Sequence, residues 1–506
     1  MKPIEGVGTS TASFVGAATR GRPFYPTFVT SWSEYERLFG GLDKTADMPL
    51  AVYHFFLNGG KRAYILRLLD PDAPTASASI PLDGAAGNLT IRAAGSGAWT
   101  KTMRVEVRLS RAGGNPWAGT PTSGVPLFDF VVINEIEGEE FELEVIPRLG
   151  VKEDGERFYA SIINRDSHFI KVELAAGAKD FPEVNFKLAK EPDRELWRVT
   201  APLAGGEDGS PDKVFIDATI RRALATLDTI DDVNILAMPG VHDNVLVGAG
   251  IDYCARRGDI IYVVDSQGDP RNRTPREVQI NDVKAKMRDL SPKDSHAALY
   301  FPWIEISDPY SRISGATRYA PPSGAIAGLY ARTDNRRGVW KAPAGTEASI
   351  LGAVGLAVSV TDNDQEELNP IGVNCIRQFP DAGIVCWGSR TIATRQDPEY
   401  RYVPVRRYTM FLAKSLYRGT QWVVFEPNDE PLWSAIRFNL NAFMLRQFRA
   451  GALQGGKPEE AYFVKCDKEN NPQASIDAGE VHITVGFAPL KPAEFVIIHL
   501  TQMRKE

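Results

Sequence analysis

The spacing of apolar positions changes character twice along the chain. Near the start, residues 12–18 form a short apolar run that predicts a strand. Ser31 is a good N-cap for a helix over 32–39, with Glu34 at the capping-box position and Gly40-Gly41 as its stop. Residues 49–57 read as a second helix, closed by Asn58-Gly59-Gly60. Residues 62–69, with Tyr64 and Leu66 on one face, read as a strand. From about 71 to 212 the apolar positions alternate in short runs at 90–92, 103–109, 128–133, 140–146 and 169–174. Gly, Pro, Asn and Asp separate these runs, which is an all-β pattern. The acidic stretch 135–144 within it reads as a solvated turn and strand.

After Lys213 the pattern changes again. Nearly continuous apolar runs at 233–238, 259–265 and 297–304 alternate with helical stretches at 243–256 and 275–290. Apolar strands alternating with helices predict a parallel sheet covered on both faces. A further helix is expected at 323–331 and short strands at 374–377 and 383–387. Residues 408–416 and 432–449 read as helices, with Ile436, Leu440, Phe443, Met444 and Phe448 in one apolar stripe. Strands are expected at 460–466, 481–487 and 495–500. The fold class is therefore α/β plus α+β: an α/β core with an inserted all-β domain and a C-terminal α+β domain. The expected segments are 1–75 (first part of the core), 76–214 (the β-rich insertion, on the outside), 215–400 (the α/β domain) and 401–506 (the C-terminal domain).

Composition narrows the function. The chain has 506 residues and a formal net charge of −6, which gives no basic footprint for nucleic acid. No apolar run reaches the roughly 18 residues that span a bilayer, and residues 1–14 lack the pattern of a secretory signal. Cys254, Cys375, Cys386 and Cys466 are far apart and form no CxxC pair, so neither zinc nor a disulfide framework is expected. The chain reads as made in a reducing cytoplasm.

Catalytic signals are weak. There is no P-loop, no HExxH motif and no metal-like spacing among His54, His168, His242, His296, His482 and His499. His54 lies on an apolar helix and reads as a packed side chain. His242, Asp265 and Ser323 are the residue types of a serine hydrolase. Ser323, however, follows Pro321-Pro322 and lacks a glycine-flanked elbow. The favoured reading of the three is strand-end and cap residues, and of the chain is a non-enzyme with no catalytic residue, metal or cofactor. An α/β hydrolase-like enzyme using Ser323 is the alternative. The tripeptide Arg257-Gly258-Asp259 reads as a turn into a strand.

Local sequences go further. Pro3-Ile4-Glu5-Gly6-Val7 with Thr9-Ser10-Thr11-Ala12, then Val29-Thr30-Ser31-Trp32 and Phe56-Leu57-Asn58-Gly59-Gly60, resemble the opening blocks of contractile tail sheath proteins. Pro322-Ser323-Gly324-Ala325 and Gly338-Val339-Trp340-Lys341-Ala342-Pro343 resemble the middle block. Leu368-Asn369-Pro370-Ile371-Gly372-Val373-Asn374 and Val385-Cys386-Trp387-Gly388-Ser389-Arg390-Thr391 follow in the family's order. The match is densest at 405–407, 421–428, 451–455 and 488–496. It covers about 3–70 and 215–502, and the β insertion carries none of it.

The resemblance implies a subtilisin-like α/β domain without catalysis. It implies subunits stacked as six-fold rings around an inner tube protein, bound to baseplate and terminal cap proteins. Contraction would drive the tube through a target envelope. The particle would be a virion or a phage-tail-like injection particle, released by lysis, and this chain itself would touch neither nucleic acid nor membrane. Both shared ends on one chain look more like phage or extracellular particles than a two-protein secretion sheath. The Pro-Gly-Val-Tyr-like stretch that often begins family members is missing, so a short N-terminal arm is expected.

Two surfaces are expected to carry the assembly. Phe495, Val496, Ile497, Ile498, His499 and Leu500 form an apolar run that reads either as a strand closing a sheet of its own chain or as one pairing with a neighbouring subunit; it, or the short arm 1–11, is expected to make the inter-subunit link. On the helix 432–449 and its following loop, Arg437, Arg446, Arg449 and Lys457 are expected to face acidic groups on the tube; the alternative is a partly buried helix whose arginines are simply solvated.

Overall fold

A computed structural model describes residues 3–82, 88–110, 127–136, 138–153, 157–174, 181, 186–190, 197–266 and 278–494. Helices and sheets are mixed throughout. The chain divides into two units, one of residues 14–52 and 63–229 and the other of 1–13, 53–62 and 230–506.

In the first unit the predicted cap is made. Ser31 accepts a hydrogen bond from the Glu34 amide at the start of Trp32–Phe39, and Gly40 closes the helix at φ +95°. The Glu34 carboxylate reaches back one residue further than a capping box requires, to the Thr30 amide at 2.8 Å. Five antiparallel strands run in the order Ala189–Lys190, Trp197–Pro202, Met103–Leu109, Phe128–Ile136 and Glu139–Leu149. Ser77–Pro81, Asn88–Ala93 and Ile170–Glu173 form a second antiparallel sheet. Asn88–Ala93 alternates strictly between exposed and buried positions, as a sheet with one wet face must.

The all-β expectation for this stretch needs correction, because Tyr159–Asp166 is a helix that buries Tyr159, Ala160, Ile162 and Ile163. Its two adjacent isoleucines favour a strand by propensity, and packing overrides that preference. The acidic stretch is partly neutralised across strands. Glu106 is fully buried and takes Arg104, Arg108 and Arg198, while Arg104 also reaches Glu140 and Arg108 reaches Glu142.

In the second unit, Ile235–Ala237, Ile261–Asp265, Ala297–Phe301 and Val373–Phe379 pair in parallel in that order. Gly383–Cys386 adds an antiparallel hairpin strand. The second and third of these strands are buried at every position, which explains their unbroken apolar sequence. The helices Asn244–Arg257 and Ser323–Arg337 pack against Ile261–Asp265. Asp243 caps the first of them through the Val245 and Leu246 amides. Ser323–Arg337 runs six residues beyond the expected end at 331, because its polar last turns stay helical to Gly338.

The C-terminal part of this unit is built on two long helices, Val403–Gly419 and Glu430–Arg449. Tyr408, Leu412, Trp433, Ile436, Leu440, Phe443 and Met444 form their shared core. Residues 460 and 461, expected to begin a strand, instead end the helical turn Pro458–Ala461, and the strand is Tyr462–Lys465. It pairs with Thr484–Phe487 in a two-stranded antiparallel sheet. The strand expected at 495–500 lies outside the described residues.

Candidate functional site

The hydrolase-like trio is not assembled as a triad. Asp265 ends a buried parallel strand, and Ser323 begins the helix whose first turn faces that strand end. Asp265 accepts from the Ser323 amide at 2.8 Å, from Ser323 Oγ at 2.7 Å and from the Gly240 amide at 3.1 Å. The Ser323 hydroxyl is therefore spent on a carboxylate and is fully buried. His242 turns elsewhere, its Nδ1 3.0 Å from the Gly240 carbonyl. A triad nucleophile needs a histidine base within reach and an open face for substrate; among the described residues this serine bonds Asp265 in place of His242 and has no exposed face. Near it, Lys286 is 3% exposed, donates to the His242 carbonyl, and is lowered to about 8 by burial. No cluster of three or more His, Cys, Asp or Glu suited to a metal occurs among the described residues.

The chain's early residues are bound to its own C-terminal helices. Ile4 is 1% exposed and lies in the core of the two long helices. Its carbonyl accepts from Arg446. The Val7 amide donates to Ser415 Oγ at 3.1 Å. Gly6 lies so close to the Phe411 ring that an added Cβ would stand 2.9 Å from it. Thr9 is held twice: its hydroxyl donates to Asp334 at 2.6 Å, and its carbonyl accepts from Arg407 at 2.9 Å. Residues 4–9, expected to reach a neighbour, thus strap Val403–Gly419 and Glu430–Arg449 to Ser323–Arg337 within one chain.

The four cations expected on the tube-facing side fall into two pairs. Arg437 donates to Glu430 at 2.6 Å and to the Cys466 carbonyl. Arg446 holds Ile4. Arg449 and Lys457 are exposed. At the other end of this region, Glu494 is clamped by Arg390 through Nε at 2.8 Å and through Nη2. Tyr402 adds a hydrogen bond at 3.2 Å. This clamp fixes the point from which residues 495–500 leave the described part of the chain.

The comparisons agree with one another. A family model described as phage tail sheath protein central domain matches residues 218–392, and one described as phage tail sheath C-terminal domain matches 395–502. Together they take in more than half of the chain. This chain belongs to the phage tail sheath family.

The tail sheath protein of Vibrio phage KVP40 is 30% identical over 38% of the chain, and that of Enterobacteria phage T4 is 29% identical over 38%. The chain spans 27% and 28% of the length of these two sheath proteins. Among solved structures, the anti-feeding prophage helical sheath in its contracted state superposes with a TM-score of 0.58 at 23% identity. That likeness covers 99% of this chain and 95% of that one, and it concerns the fold.

Within this sheath fold, sequence reasoning missed Asp334, Glu494 and Phe425. Glu494 and Arg390 each lie inside a block quoted for the resemblance, but nothing in either block pairs one with the other. Asp334 held no signal. Phe425 lies in the matched block 421–428 with nothing to single it out there; it is fully exposed with φ +70°.

Proposed function

We propose that this chain is the sheath subunit of a contractile tail or extracellular injection particle. Copies stack as six-fold rings around an inner tube, bind baseplate and cap proteins at the ends, and contract to drive the tube through an envelope. The observation that carries this reading is the two sheath family matches over 218–392 and 395–502, together with a likeness to a helical sheath fold that covers 99% of the chain. The second unit is read as a subtilisin-like domain used as a scaffold without catalysis, its Ser323 committed to Asp265. The chain is made in the bacterial cytoplasm and leaves as part of a particle.

Strand exchange is the proposed link between subunits. Among the described residues, Tyr462–Lys465 and Thr484–Phe487 make a two-stranded sheet, and Phe463 on it is 56% exposed. A two-stranded sheet is marginal alone and gains from further strands. Residues 495–500 of a neighbour are the proposed addition. Each inter-subunit hydrogen bond nets about 0.5–1.5 kcal/mol, so the strength of the assembly comes from repetition. Arg449 and Lys457 are the proposed tube contacts, with Arg437 and Arg446 as supports.

Negative-stain microscopy of the purified protein tests the reading. Striated hollow tubes are expected, and uniform small globules would overturn it. Removing residues 495–506 is expected to leave soluble monomers; normal long tubes from that truncation would refute the strand link.

A further inference from the structure

We propose that the turn between the two long C-terminal helices, residues 421–430, is a preformed plug that seats in a groove beside Trp340 on a second copy of this chain. The proposal rests on the sheath reading and names one contact within it.

The plug is held rigidly from behind. The Val423 amide donates to the Thr420 carbonyl at 2.9 Å and the Glu426 amide to the Val423 carbonyl at 3.1 Å. Asn428 donates to the Glu480 carbonyl at 2.9 Å and accepts from Trp433 Nε1 at 2.8 Å. Phe425 at the tip is fully exposed, and Val424 beside it is 58% exposed. Its φ of +70° is a left-handed conformation that a bulky residue adopts at a cost. A stiff turn that spends strain to hold an aromatic ring in water has the form of an interface anchor, because ordering cost is already met before binding.

The groove has a volume of about 960 Å3, and Trp340, Pro370, Trp387 and Leu490 are among its walls. That space exceeds a phenyl ring and admits its flanking residues. Two of its cations, Arg337 and Arg377, are already paired with Glu347 and Asp362. Of the remaining charged groups on its walls, Lys341, Lys491 and Glu366 make no ion pair among the described residues, and neither does the exposed Glu426 of the plug. The unpaired charge of the groove is thus net positive, opposite to that of Glu426.

Full exposure of Phe425 excludes its own groove as the occupant's seat. A plug and a groove at different places on one molecule give a heterologous contact, which repeats without closing and builds a helical stack.

The test compares full-length variants by sedimentation and microscopy. Phe425→Ala and Glu426→Lys are expected to raise the concentration needed for assembly about thirtyfold, as loss of an interface anchor does. Their melting temperatures as monomers should stay unchanged. Lys341→Glu combined with Glu426→Lys should restore assembly. A Phe425→Cys chain mixed with a Pro370→Cys chain should form a covalent heterodimer on oxidation only when assembled. The four native thiols are buried and raised above their ordinary values, so they should stay silent. Wild-type tubes matched by Phe425→Ala tubes would overturn the plug while leaving the sheath reading intact. A cross-link from the Phe425→Cys thiol to an inner tube protein, or to residues 495–506, would also overturn it. Wild-type protein that stays globular would overturn both.

Discussion

Arg407 and Asp334 form a two-point ion pair inside the protein, at 2.8 and 2.6 Å, with side chains only 3% and 6% exposed. The pair joins the helices Val403–Gly419 and Ser323–Arg337, and Thr9 completes it. Arg407 also lies 4.6 Å from the centre of the Tyr330 ring. Desolvation alone would lower the guanidinium, yet Asp334 keeps it raised above its ordinary value. Removing one partner leaves the other charge buried and unpaired, which costs about 3–5 kcal/mol. Asp334→Ala should therefore shift urea unfolding by that amount. Arg407→Met with Asp334→Leu should recover much of the loss, since an apolar pair of similar volume removes both charges. A single variant as stable as wild type would show that the pair holds nothing together.

His54 gives the fold an acid-sensitive point. It is 4% exposed, and burial lowers it from 6.5 to about 4, with the Leu351 backbone offsetting part of the shift. Between those two values the unfolded chain binds a proton that the folded chain refuses. Stability is then full above pH 6.5 and falls as pH drops toward 4, by about 3 kcal/mol in all. Chemical unfolding of the monomer at pH 7 and pH 4.5 should show the loss, and His54→Phe should flatten it. Equal slopes in the two proteins would remove His54 from the account.

The parts legible in the sequence were those set by near neighbours. Ser31, Gly40 and Asp243 mark helix ends through contacts within four residues, and the spacing of Ile436, Leu440, Phe443 and Met444 shows which face is buried. The parts not legible are long-range. Thr9 and Arg407 are 398 positions apart, and Arg390 and Glu494 are 104 apart. No periodicity joins such residues, because the fold alone brings them together. Arg446 shows the same limit from the other side. It is exposed, as its place on the helix implied, yet it also donates to the Ile4 carbonyl, 442 positions away. Phe425 reverses the usual rule: Trp422 and Val423 beside it pack against the core, while Phe425 itself stands exposed at positive φ.

Ser323 and Asp265 separate a scaffold from an enzyme. Ser323→Ala removes one buried hydrogen bond to a carboxylate, which costs about 1.5–3 kcal/mol. Asp265→Ala strands the Ser323 amide, the Ser323 hydroxyl and the Gly240 amide together, so it should cost more. Thermal unfolding should rank the two in that order. Neither change should alter hydrolysis of an activated ester, which is expected at background level in the wild type. Ester turnover in wild type that Ser323→Ala abolishes would revive the hydrolase reading.

The exposed cations of the tube-facing region are best tested where they have no structural duty. Charge reversal at Arg437 would break its bonds to Glu430 and the Cys466 carbonyl, and reversal at Arg446 would free Ile4, so both confound binding with folding. Arg449 and Lys457 are exposed, and reversing them should leave the melting temperature within about 1 °C, since isolated surface changes cost little. Retention of the inner tube in assembled sheaths should fall, and the difference from wild type should shrink between low salt and 0.5 M salt, where surface charges are screened. A loss that is equally large at both salt concentrations points to lost packing in place of charge attraction. Full tube retention by Arg449→Glu with Lys457→Glu would move the tube contact away from this helix altogether.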